Sequence, residues 1–131
     1  MSSECTNAKW INSCLNQATK YKYEVILIDD GSTDGSVLFA NKIKNKKIKI
    51  FQTKNKGVEK AANKGFKKSN AKYAVRVDSD DYLHKNFVNT MLKKIIKSKI
   101  AFVYSNYYLV ESNKKKISQI KLPIFNKKEI F

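Results

Sequence analysis

A chain of 131 residues with 42% hydrophobic and 11% aromatic content can fill one core, is too short for two comfortable ones, and is not the composition of a disordered polypeptide. No run approaches the ~20 apolar residues that cross a bilayer. MSSECTNAKW also lacks the charged start and apolar block of a secretory leader, so a soluble cytoplasmic protein is the expectation.

Lys and Arg total 27 against 11 acids, a formal net charge of +16. The lysines are dispersed, with short clusters at Lys46–Lys47, Lys67–Lys68, Lys93–Lys94 and Lys114–Lys116. This reads as a solvated lysine-rich surface with no specific nucleic-acid partner. Weak attraction to anionic lipid follows from the charge, which makes peripheral association at the inner face of a membrane a further expectation. Cys5 and Cys14 have no CxxC spacing and read as reduced thiols.

In chain order, NAKWINSCLNQ (residues 7–17) places Trp10, Ile11, Cys14 and Leu15 on one helical stripe. Tyr23 to Ile28 is short, β-branched and bounded by turn residues, and reads as a strand. STDGSVLFANKIKN offers several N-caps ahead of a helix through Val37, Leu38, Phe39 and Ile43. Lys47 to Thr53 alternates as a strand, and Gly57 to Ser69 returns to helical spacing. Tyr73 to Val77 reads as a strand ending in DSDD. His84 to Lys97 has the broadest apolar stripe of any helix, and Ile100 to Val110 and Ile117 to Leu122 read as the two strands of a hairpin.

The predicted order α-β-α-β-α-β-α-β-β means a mostly parallel sheet with helices on both faces. Right-handed crossovers then bring the strand C-termini to one rim, where open α/β sheets bind ligands. Both acidic clusters, Asp29–Asp30 and Asp78 to Asp81, belong to that rim.

In DSDD, the carboxylates of Asp78 and Asp80 point the same way in extended backbone, and Asp81 turns elsewhere. Hard oxygens at this spacing suit Mg²⁺ or Mn²⁺ shared with substrate phosphates. The bland reading is a solvated turn before the helix near His84, and for an isolated DxD it is the better one. DDGS admits three readings: a helix N-terminus capped by Ser32, Thr33 or Asp34; an EF-hand loop; or a nucleotide pocket. The EF-hand fails because its twelfth position is Asn41 and a strand precedes it. His84 reads as a helix N-terminal residue, Trp10 as core, and Tyr104, Tyr107 and Tyr108 as strand packing.

Three stretches occur together: "SCLNQATKYKYEVILIDDGSTDGS", "NKGVEKAANKG" and "AVRVDSDDYL". In this order they resemble the family 2 glycosyltransferases, over about Trp10 to Phe131. The resemblance implies a GT-A (Rossmann-like) fold, a three-layer α/β/α sandwich, for a single partial domain over 1–131. It implies a metal-dependent, inverting transfer of sugar from a nucleotide-diphospho-sugar, a UDP-sugar by expectation, to a glycan or lipid-linked acceptor. Nucleotide-binding roles would fall to Asp29, Asp30, Gly31, Ser32, Asp78 and Asp80, with Asp30 on the base. Asp80 and Asp81 would hold Mn²⁺ or Mg²⁺.

Three departures from the family pattern bear on activity. There is no room ahead of Gln17 for the family's first strand. Ala62 stands where many relatives carry an arginine, with Lys60 or Lys64 nearby. Glu111 and Glu129, the only acids after Asp81, do not match the acidic pair that carries the family's catalytic base. The expectation is a donor-binding half with its first strand missing: a truncated fragment, or one piece completed by a second polypeptide.

Overall fold

The computed structural model describes residues 3–98, 102–111 and 116–123. Its elements are α1 (Ser3–Leu15), β1 (Val25–Asp29), α2 (Ser36–Asn41), β2 (Ile48–Gln52), α3 (Val58–Lys68), α4 (Phe87–Ser98), β3 (Tyr107–Val110) and β4 (Lys116–Ile120). The chain divides into two compact units, Met1–Thr90 and Met91–Phe131.

In the first unit β1 and β2 pair in parallel, from Val25 opposite Ile48 to Asp29 opposite Gln52. The crossover between them carries α2, which is shorter than the spacing predicts. Gly35 adopts a left-handed conformation, and the Asp34 carboxylate takes both the backbone N–H and the hydroxyl of Ser36. These local bonds hold the chain in a turn until Ser36, so the helix starts late. On one face of β1, α3 approaches closely enough that a Cβ on Gly65 would sit 3.4 Å from Ile28 Cγ1. Toward the other face α1 packs with α2. Ile11, Cys14, Leu15 and Ala40 are the buried apolar residues of the chain's described part, and all belong to this α1–α2 layer.

Gln17 fastens α1 to the start of α4. Its buried side chain donates from Nε2 to the carbonyls of Ser13 and His84, and its Oε1 accepts from the Val88 N–H at 3.0 Å. Two further bonds, Ala18 N–H to the Lys85 carbonyl and Leu83 N–H to Ser13 Oγ, close the same seam. The Tyr23 hydroxyl donates to the Leu15 carbonyl, satisfying one of the acceptors that every helix end leaves open.

One predicted strand is absent: residues 73–77, expected to belong to the parallel sheet, form neither helix nor ladder. A strand exists only with a neighbour, and β1 has a ladder on its β2 side alone. In the second unit β3 and β4 form an antiparallel hairpin with an irregularity between Leu109 and Val110. β3 starts at Tyr107 rather than near residue 100, and residues 99–101 of that expectation lie outside the described part, as do 112–115 and 124–131. No helix among the described residues is long and apolar enough to cross a membrane.

Candidate functional site

β1 delivers Asp29 and Asp30 at its C-terminal end, and each carboxylate has a different task. Asp29 is buried, 8% exposed, and among the described residues its carboxylate accepts one hydrogen bond, from the Ser32 N–H at 3.2 Å. Asp30 reaches across to the loop after β2. It accepts from Thr53 Oγ1 at 2.7 Å, from the Lys56 N–H at 2.8 and 3.0 Å on its two oxygens, and from the Gly57 N–H at 2.7 Å. These bonds, led by the Lys56 N–H, hold the Asp30 carboxyl below the usual carboxylate range.

The loop that Asp30 ties is strained in a way only small residues tolerate. Asn55 has φ +34° and Gly57 +89°. Gly31 has φ +86°, and a Cβ there would meet the Asn55 backbone nitrogen at 3.1 Å. Glycine is therefore required at position 31 twice over, by conformation and by space.

The acids of the second cluster occupy a turn in which the Asp81 N–H donates to the Asp78 carbonyl. Asp78 is paired with Arg76, through Nε and Nη2 at 2.8 Å each. Burial, then the neighbouring Asp80 and Asp78 charges, push the Asp81 carboxyl up. Among the described residues no three acidic, histidine or cysteine side chains converge as a metal cage.

Two adjoining cavities gather these residues. The larger, about 410 Å³, is lined on one side by Ile26, Leu27, Ile28 and Asp30 and on the other by Ala74, Arg76, Val77 and Asp78. The smaller, about 250 Å³, lies over Asp29, Asp30, Ser32 and Asp34. Trp10 and Ser79 line both. The end of β1 and Asp78 thus share one region, lined by both acidic and aliphatic side chains.

A model of the Glycosyl transferase family 2 matches residues 4–131. The chain belongs to glycosyltransferase family 2. Among curated proteins it is 37% identical to an uncharacterized glycosyltransferase of Haemophilus influenzae, over 96% of this chain and 50% of that protein. It is 39% identical to an uncharacterized glycosyltransferase of Rickettsia bellii, over 84% of this chain and 16% of that protein. It is 36% identical to a cholesterol galactosyltransferase of Borreliella burgdorferi, over 76% and 28% respectively. The chain spans half or less of the length of these relatives.

Family 2 membership carries the GT-A, Rossmann-like α/β fold, with which the parallel β1–β2 pair and its flanking helices agree. Of the residues singled out from sequence, Asp29, Asp30 and Ser32 line the smaller cavity, and Asp30 and Asp78 the larger. Gly31, Asp80 and Asp81 line neither, and Asp80 and Asp81 are exposed. Lys64 Nζ is turned to the Gln52 carbonyl. Sequence reasoning missed three contributors: Thr53 and the Lys56–Gly57 amides as partners of Asp30, Arg76 as partner of Asp78, and Trp10 as a wall of both cavities. The NxG at Asn55–Gly57 was the one available signal for the first of these.

Proposed function

We propose that this chain binds the nucleotide end of a UDP-sugar and takes part in metal-assisted, inverting transfer of the sugar to a glycan or lipid-linked acceptor. The observation that carries this is that Asp29 and Asp30 at the end of β1 and Asp78 of the second acidic cluster line adjoining cavities in a family 2 chain. Asp29 keeps most of its acceptor capacity unused, and its buried carboxylate is suited to a base or ribose donor. Three donors fill most of the roughly four lone-pair sites of Asp30, so it holds the pocket's shape and has little left for ligand. Ser32 and Ser79 offer hydroxyls along the same wall.

Asp80 and Asp81 fit Mn²⁺ or Mg²⁺ by donor chemistry. They are exposed, adjacent carboxylates, and the charges that push Asp81 up are those a cation would relieve. A divalent ion bound with few protein ligands takes its remaining positions from phosphate oxygens and water, which agrees with the lack of a closed cage among the described residues. Bound there, it would neutralise the departing diphosphate. Arg76, tied to Asp78, keeps a cation beside the same turn.

Calorimetric titration of UDP in the presence of Mn²⁺ tests this. Binding that falls at least about tenfold with Asp80→Ala plus Asp81→Ala, and with chelator, is expected, since the metal couples protein to phosphate. No UDP affinity with Mn²⁺ present, or affinity indifferent to the double substitution, sinks the reading. Cell-envelope glycan synthesis at the inner face of a membrane is the setting that this donor and acceptor chemistry fits.

A further inference from the structure

Among the described residues, the carboxylates of Asp29, Asp30, Asp34 and Asp78 line the two adjoining cavities, and one cationic side chain does: Arg76, on the wall of the larger. No described lysine lines either cavity, although Lys and Arg total 27 in the chain. Lys60 and Lys64, the cations nearest Ala62 in sequence, are placed elsewhere. Lys60 is exposed, and Lys64 gives its ammonium to the Gln52 carbonyl. Arg76 is also the chain's one arginine.

Arg76 holds Asp78 by one edge. Its Nε–H and an Nη2–H both go to Oδ1 of Asp78, at 2.8 Å each. A guanidinium has five N–H donors, so both on Nη1 and the second on Nη2 remain, and together they form the end of the fork. Among the described residues no other protein acceptor takes them. The pair is also open to solvent, with the side chains 46% and 51% exposed, and such a pair is worth at most about a fivefold preference. Arg76 is thus held on the cavity wall without being spent there.

The three remaining donors match one ligand chemistry. A nucleotide diphosphate brings several negative charges against walls whose other charged groups are acidic, and like charges brought together cost affinity. A divalent ion offsets part of that charge. The planar end of a guanidinium takes phosphate oxygens two at a time, which an ammonium does not. We infer that Arg76 grips the diphosphate of the nucleotide through its Nη1–Nη2 end, while its other edge rests on Asp78. This rests on the donor-binding reading and deepens it. The base end falls to the smaller cavity with Asp29, and the phosphate end to the wall that carries Arg76.

Equilibrium dialysis of the whole chain with labelled UDP, and displacement of that label by uridine, tests this with Mn²⁺ and with chelator. Arg76→Gln should weaken UDP binding at least about tenfold in both conditions, the size of a lost charge-assisted hydrogen bond. Uridine has the base and the ribose without phosphate, and should bind the variant and the wild type alike. Arg76→Lys keeps the charge without the fork and should lose less. Lys60→Gln removes an equal charge from outside the cavities and should stay within about twofold of wild type. Because the Arg76–Asp78 pair is exposed, the urea midpoint of Arg76→Gln should barely move. UDP binding that Arg76→Gln leaves unchanged overturns the inference and leaves the donor reading standing. An equal loss for uridine overturns it too, since Arg76 would then only shape the wall. So does an equal loss with Lys60→Gln, which makes the effect one of overall charge. A wild-type chain that binds no UDP with Mn²⁺ present sinks the donor reading and this inference together.

Discussion

Asp30 and Asp81 occupy opposite electrostatic situations a short distance apart in function. Asp30 is surrounded by donors and its carboxyl is held down. Asp81 is partly desolvated and lies near the Asp80 and Asp78 charges, and its carboxyl is held up. For Asp30 the folded value lies below the unfolded one. Its contribution to stability is therefore present above the unfolded value and lost as pH falls through the folded one. For Asp81 the sign reverses: the ionised form is disfavoured in the fold, and stability falls as pH rises from the unfolded value through the folded one. Carboxyl titration by NMR should find Asp30 below and Asp81 above the ordinary range. The Lys56 and Gly57 amide shifts should follow Asp30, and added Mg²⁺ should bring Asp81 down. Coincident titration of the two, or a Mg²⁺-independent Asp81, contradicts this picture. The DDGS signature announced that Asp30 matters, yet not that it would be spent largely on the loop after β2. That depends on the positive φ at Asn55 and Gly57, which brings two amides back to a strand end 26 and 27 residues earlier in sequence.

At the scale of elements, α3 and α4 were legible because their apolar spacing has a helical period, and β1 and β2 because short β-branched runs are bounded by turns. The 73–77 segment carries the same strand composition and does not form one. Composition specifies willingness to pair, and among the described residues β1 has a ladder with β2 alone, so this segment has no neighbour to pair with. The seam between α1 and α4 was not legible at all, because a glutamine in a helical pattern looks like surface. Gln17 is instead buried, with three side-chain hydrogen bonds, two of which join segments 67 and 71 residues apart in sequence. Replacing it with leucine keeps its bulk and orphans the Val88 N–H, while the His84 carbonyl keeps only the Phe87 N–H. Gln17→Leu should cost about 1–3 kcal/mol, the penalty of leaving such groups without a partner. Thermal or urea unfolding measures it, and exchange of the Val88 amide should quicken before the β1 amides do. A neutral substitution would mean that the seam is replaced by water at no loss.

For the whole molecule, charge and burial act in the same direction. The chain carries a net +16, its described residues include few buried apolar side chains, and none of the large ones is fully enclosed. Exposed aliphatic and aromatic residues extend from Leu38 and Val58 to the β3 strand, where Tyr107, Tyr108, Leu109 and Val110 are each nearly half exposed. Two ion pairs, Lys49–Glu24 and Arg76–Asp78, offset little of the excess among the described residues, and exposed pairs contribute at most about 1 kcal/mol each. With so shallow a core, lysine self-repulsion is a leading opposing term, and it is screened over about 10 Å at 0.1 M salt. Raising ionic strength with a weakly interacting salt should therefore move the urea midpoint upward, most steeply at low salt, and slow the exchange of the β1 amides. A protein held mainly by its ion pairs would show the reverse, a midpoint that falls with salt. The same screening weakens electrostatic attraction of a +16 chain to anionic vesicles, so vesicle co-sedimentation should fall with salt over the range in which the urea midpoint rises.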